Sequence, residues 1–315
     1  MQSLWMVVAA VFYAVYGVCI KFASLEGIGA WEVLFYRSFF GLVVFFIMMH
    51  REGTSMRTQH PWAHAVRSLA GVAAIVAGGF YSLSHLNLGL AMTLNYTAPL
   101  FLGTFVVIWS LLHHSHINWG LMASLAAGFA GVVILLGPTI RPDEYFAAGV
   151  GIAAGGFTAL ATGFVKRLGS YHEPLSRIIF FLMLAGSVCG LSAIPFTGGF
   201  HAWTATGAAS ILAFCVCATL GQLTLTMAFS RGNMVLSGAL QYTVILFSTP
   251  MGVLIFGDDV SFTSAVGMVT IVVSGIAASL LTKRTEGHIK AIKKLKDIEA
   301  KSAGAASVPD ASGKR

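Results

Sequence analysis

The chain has 315 residues, 57% of them hydrophobic and only 10% charged, with a net charge of +7. A soluble domain carries about 25% charged residues, so this composition excludes a water-soluble globular domain and points to a chain built for lipid. The mean hydropathy of +0.81 agrees.

A helix rises ~1.5 Å per residue, so crossing ~30 Å of hydrocarbon takes ~20 apolar residues. Ten candidate spans lie near residues 4–22, 33–49, 67–86, 91–112, 119–137, 146–165, 176–196, 207–229, 234–256 and 264–282. The turns between them are short, which predicts one helical bundle without a soluble domain. No Lys or Arg precedes the first run and many spans follow, so it reads as a retained helix, not a removable signal.

In the first span Lys21 marks an outer end where a long side chain can snorkel to water. In the second, Arg37 falls on the order of 6–9 Å along the helix from its outer end. It either snorkels outward or faces the bundle interior as a carboxylate anchor. The third span ends in Phe80-Tyr81-Ser82-Leu83, and the fourth opens on Ala91-Met92-Thr93-Leu94-Asn95-Tyr96-Thr97-Ala98-Pro99. His113, His114 and His116 fill the next turn and read as a solvated loop, because no acidic or Cys partner lies beside them. Gly151 with Gly155, and Gly186 with Gly190, are small-xxx-small pairs that let helices approach closely. Cys19, Cys189, Cys215 and Cys217 all fall inside spans and read as buried small hydrophobes.

The fourth and ninth spans nearly repeat each other. Asn95-Tyr96-Thr97 matches Gln241-Tyr242-Thr243, 146 residues later, and Gly120/Gly128 match Gly267/Gly275 in the closing spans. Two units result, residues 1–140 and 141–282, with five spans each. Basic residues set the orientation. Arg51, Arg57, Arg67, Lys166, Arg167, Arg177 and Arg231 fall in or beside the even-numbered gaps, which places those gaps and both termini on the cytoplasmic side. Five is odd, so the second unit enters the membrane inverted. The expected fold is therefore an all-α membrane protein with ten transmembrane helices as two inverted five-helix repeats, in the cell (inner) membrane. Such repeats underlie alternating access, with the substrate near the midplane.

The segment 283–315 carries nine basic and four acidic residues, five of the net seven positive charges. Ile289, Ile292, Leu295 and Ile298 recur at helical spacing between lysines. This reads as a basic amphipathic cytoplasmic tail on anionic inner-leaflet lipids, disordered after Ser302.

With its two five-span halves and the segments around Phe80–Leu83 and Ala91–Pro99, the chain resembles the EamA family of the drug/metabolite transporter superfamily over about residues 4–282. The resemblance implies a ten-helix bundle of inverted repeats moving small metabolites, often amino acids or related compounds, frequently outward. Two features depart from that pattern. The turn before the fifth span reads Leu112-His113-His114-Ser115-His116 where a Glu is common, while the second copy keeps acidic character as Gly257-Asp258-Asp259; and Pro99 has no counterpart, since Pro250 comes eight residues after Tyr242.

Polar side chains in mid-span are costly and usually face a cavity or another helix. The substrate-binding candidates are Arg37, Asn95, Tyr96, Gln241 and Tyr242, with Tyr13, Tyr16, Tyr81 and Gln222 behind them. Their amide and phenol groups can hydrogen-bond a zwitterion, or else serve as interhelical glue. No Asp or Glu sits mid-span, which argues against a carboxylate proton relay at the midplane, and no phosphate loop is present, so direct use of ATP is not expected. The expected function is a secondary transporter without a cofactor or metal, whose partners are a small-molecule substrate and the bilayer but no nucleic acid; a homodimer is left open. The alternatives are a membrane-embedded enzyme, for which no cluster of acid, base or metal groups shares one depth, and a non-transporting structural membrane protein.

Overall fold

The computed structural model describes residues 2–95, 97–112, 119–136, 141–201, 204–232, 234–278 and 280–281. Tyr96, the histidine turn 113–116 and the tail beyond 281 lie outside the described residues. The helices are α1 (Trp5–Leu25), α2 (Ala30–Arg51), α3 (Pro61–His85), α4 (Leu88–Asn95), α5 (Ala98–Leu112), α6 (Trp119–Leu136), α7 (Tyr145–Ser170), α8 (Leu175–Ala193), α9 (Ala205–Arg231), α10 (Met234–Gln241), α11 (Thr243–Phe256) and α12 (Phe262–Ala278). Among the described residues there is no strand. Six helical stretches, Gln2–Leu25, Ala30–Arg51, Pro61–His85, Pro142–Ser170, Leu175–Phe196 and Ala205–Arg231, are long and apolar enough to cross a membrane. Shorter apolar helices complete the bundle.

Local chemistry sets the boundaries. Pro61 opens α3 at its first turn, where a missing backbone N–H costs nothing. The Thr204 side chain caps α9 by accepting from the Gly207 amide at 2.9 Å. Gly257 closes α11 in the left-handed conformation (φ 65°), which glycine adopts without a Cβ clash.

Three departures from the sequence expectation bear on the site. First, α3 begins at Pro61 and not near residue 67, so Arg67 lies inside the helix. Second, the expected fourth and ninth spans are each interrupted, between Asn95 and Ala98 and again at Tyr242. Third, α3 is not a uniform α-helix: Ile75–Ser82 form a π-helical stretch containing the Gly78-Gly79 pair.

The helices of the two halves interleave. α2 packs most extensively on α8, α1 on α9 and α3 on α7, while α4 lies against α11. The small-residue pairs sit in these seams. A Cβ at Gly190 would come within 2.9 Å of the Phe35 backbone, and one at Gly151 within 2.8 Å of the Ser82 hydroxyl. Polarity runs opposite to that of a soluble protein. Phe39, Phe46, Ile47, Val188, Leu254 and Phe262 face outward, while Arg37, Arg67, Gln222 and Gln241 are buried. An apolar exterior around a polar interior is what a bilayer demands of a bundle.

Candidate functional site

The buried polar groups converge on a cavity walled by α1, α2, α3, α4, α7, α8, α9 and α10. It offers about 100 Å³ to the centres of water-sized molecules. A single water needs about 10–15 Å³ on that measure, so the space suits several waters or a small metabolite.

Arg37 sits on the inward face of α2, 2% exposed. Its Nη2 donates to Gln222 Oε1 at 3.4 Å, and the Tyr13 hydroxyl donates to the same oxygen at 3.3 Å. Gln222 is oriented in turn by its Nε2 donating to Thr226 Oγ1 at 3.1 Å, one helical turn on. The Arg37 guanidinium also lies over the Tyr16 ring, 5.5 Å from its centroid, a cation–π contact. Tyr16 is held edge-on by Tyr13 and stacks on Phe214 at 5.0 Å. The arginine is thus placed by neutral groups, and among the described residues no carboxylate forms an ion pair with it.

Arg67 is 3% exposed and projects from α3 into the same cavity. Asn95 ends α4 with its carbonyl oxygen against Gly78, where a Cβ would come within 2.6 Å, and the Tyr16 hydroxyl is equally close to Gly79. The π-helical stretch therefore brings Gly79 to the cavity wall and Gly78 against the Asn95 amide, where two polar side chains need the room. Gln241 ends α10, and Thr158 and Thr162 of α7 complete the polar lining. Among the lining residues none is acidic.

Of the sequence candidates, Arg37, Tyr13, Tyr16, Asn95, Gln222 and Gln241 are brought together here. Two expectations are revised. Tyr81 is 36% exposed, stacks on His85 and meets Phe146 edge-on, away from the cavity. Tyr242 is buried, but its ring packs on Gly275 of α12 and is not part of the lining. Arg67 is a correction in the other direction. Counted by sequence among the cytoplasmic-side charges, it lines the cavity, and the proline six residues before it was the signal that the helix starts earlier.

Charged groups at the two ends of the bundle are paired. Lys21 does not simply snorkel: its Nζ lies 2.7 Å from Asp258 Oδ1, and Asp258 Oδ2 accepts the Leu88 amide at 2.8 Å. At the opposite end Glu173 accepts from Thr58 at 2.6 Å and from Arg177 at 2.7 Å, with His64 Nε2 3.7 Å away, and Glu52 accepts from Ser176 at 2.5 Å. Burial raises the Glu173 carboxyl, but hydrogen bonds from Thr58 and Arg177 and the charges of Arg177 and His64 outweigh it and hold the group below the usual carboxylate range. Among the described residues no group of His, Cys, Asp and Glu could hold a metal ion.

The EamA-like transporter family matches residues 1–137. Over these residues the chain is similar to that family. Relatives extend the likeness beyond the matched EamA segment. A pseudopaline exporter, CntI, of Pseudomonas aeruginosa is 28% identical over 285 residues, covering 88% of this chain and 95% of that one. An uncharacterized transporter of Helicobacter pylori is 26% identical over 223 residues, 69% of this chain and 72% of the other. A solved crystal structure superposes with a TM-score of 0.63 at 18% identity over 90% of this chain and 98% of its own, a likeness of fold alone. Family and relatives point to an integral membrane transporter and not to an enzyme.

Proposed function

We propose that this EamA-like chain is a secondary exporter that moves small metabolites, amino acids or related compounds, across the inner membrane by alternating access. The observation that carries this reading is the polar cavity at the meeting of the two halves, where Arg37 and Arg67 face inward with amide and phenol groups and no acidic residue. A buried guanidinium costs several kcal/mol of desolvation unless it is paired, and a substrate carboxylate supplies the missing partner. The Pseudomonas relative is an exporter, which supports outward movement.

The proposed topology is ten spans in two inverted repeats, residues 1–140 and 141–282, with α4/α5 and α10/α11 as the interrupted fourth and ninth spans and both termini cytoplasmic. Exchange of the two halves supports it. That operation turns the α1–α9 contact into α7–α3 and returns α2–α8 to itself, and all three contacts are extensive. Interrupted helices beside a central site are a recurrent feature of such transporters. Residues 283–315 are proposed to lie on anionic lipid of the inner leaflet.

The test is flux through the purified chain in liposomes, with a panel of labelled amino acids and related metabolites run in both directions. Saturable, protein-dependent flux is expected, and Arg37→Ala should reduce it at least tenfold without lowering folded yield. Tyr96→Phe is expected to impair flux as well. A panel without any protein-dependent movement would sink the transporter reading, and unchanged flux in both variants would remove those residues from the site.

A further inference from the structure

We infer that the cavity takes a small dianion, a molecule with two carboxylates, and that the membrane potential drives its export. The inference rests on the transporter reading above and deepens it. Arg37 and Arg67 are both buried and line the same cavity. Among the described residues neither has an acidic partner. The acceptor that Arg37 finds is the uncharged Gln222 oxygen at a long 3.4 Å. Arg37 Nε and Nη1, Arg67 Nε and Gln241 Nε2 are buried donors with no protein partner among the described residues. Buried polar groups are nearly always satisfied, and four unsatisfied donors around one cavity mark where a ligand's acceptors belong.

Buried carboxylates of the bundle are already engaged: Glu32, on the same helix as Arg37, accepts from the Tyr36 hydroxyl and the His201 amide. Glu173 is held by Thr58 and Arg177, and Asp258 by Lys21 and the Leu88 amide. Two positive charges therefore await two negative ones. Because the guanidinium groups project from different helices, two separate acidic groups on one molecule meet them better than a single one. The planar fork of each arginine matches a carboxylate.

Charge decides the energetics of the cycle. Each turnover carries two negative charges outward. An inside-negative potential drives that movement without a coupled proton, which agrees with the lack of acidic residues in the cavity lining. At 100 mV two charges correspond to an equilibrium ratio on the order of 10³-fold.

The experiment uses the full chain, first as purified protein warmed with graded concentrations of succinate, glutarate, adipate, size-matched monocarboxylates, glycerol 3-phosphate and putrescine. Dicarboxylates should raise the unfolding midpoint most. Arg67→Gln should weaken that binding roughly ten- to a hundredfold while leaving monocarboxylate binding much closer to the wild type. The best dicarboxylate is then loaded into vesicles clamped by a potassium gradient and valinomycin, where an inside-negative potential should accelerate efflux and collapse of a pH gradient should not. Should Arg67→Gln fail to fold, the ranking on the unmodified chain decides. Equal or better binding of putrescine or of monocarboxylates, or no stabilisation by any dicarboxylate, overturns the inference. Tighter binding of glycerol 3-phosphate overturns the dicarboxylate assignment, and efflux indifferent to potential overturns the drive. In each of these cases flux of some other metabolite would leave the transporter reading standing.

Discussion

Asp258→Asn removes one charge while keeping almost every atom in place, and the structure lets its cost be worked out. The carboxylate has two duties: Oδ1 meets Lys21 Nζ at 2.7 Å, and Oδ2 accepts the Leu88 amide at 2.8 Å. An asparagine oxygen can keep the second bond, so the loss falls on the ion pair. Its side chains are 17% and 11% exposed, intermediate between wet and dry. Exposed pairs contribute about 0.2–1 kcal/mol, whereas breaking a fully buried pair costs about 3–5 kcal/mol. A loss of about 1–2 kcal/mol is therefore expected, and Lys21 retains a weak substitute in the Phe256 ring, 4.5 Å from Nζ. The assay is a double-mutant cycle with Lys21→Met, read as thermal unfolding of the purified protein, where each kcal/mol should move the midpoint by roughly 2–4 °C. A coupling energy under about 0.3 kcal/mol would refute the reasoning, because the two changes would then add as independent sites do.

Other outcomes follow from packing and protonation. Gly190→Ala should destabilise by about 1–3 kcal/mol and Gly186→Ala by less, since the first new methyl meets the Phe35 backbone and the second meets the Ser38 side chain, which can rotate away; equal unfolding midpoints would contradict the seam as described. The Glu173 carboxyl is held below its ordinary value, so its stabilising contribution is present above the unfolded value of 4.5 and is lost as pH falls through the folded one. Glu173→Gln should accordingly flatten the loss of thermal stability between about pH 5 and pH 3, and an unchanged acid profile would count against that assignment. Tyr81→Phe should leave flux within about twofold of the wild type, because the ring lies outside the cavity; a tenfold loss in the vesicle assay would return it to the site.

What the sequence made legible and what it hid divide along physical lines. Long apolar runs are a local property, so a helical membrane bundle could be read directly. Arg37 stood out as a costly charge within a span, but whether it snorkels or faces inward depends on packing that no local rule decides. Arg67 was missed because its meaning depends on where α3 begins: a span starting near residue 67 puts it at a helix end, whereas a start at Pro61 carries it inside. Tyr81 was misplaced for a different reason. Seven residues after Ala74, it would share that residue's cavity face in an unbroken α-helix, but the wider turns of Ile75–Ser82 carry it round to the outside. The pairing of Lys21 with Asp258 joins positions 237 apart, and no spacing rule reaches that far.

The ionic and hydrogen-bonded ties at the two ends of the bundle share no residue. One set gathers Lys21, Leu88 and Asp258, the other Glu52, Thr58, Glu173, Ser176 and Arg177. Each joins segments from both halves of the chain, yet each can be severed while the other holds. A bundle fastened by one central clasp would part at both ends at once and leak like a pore. With separate fastenings, one end can part while the other stays closed, which the proposed alternating access requires.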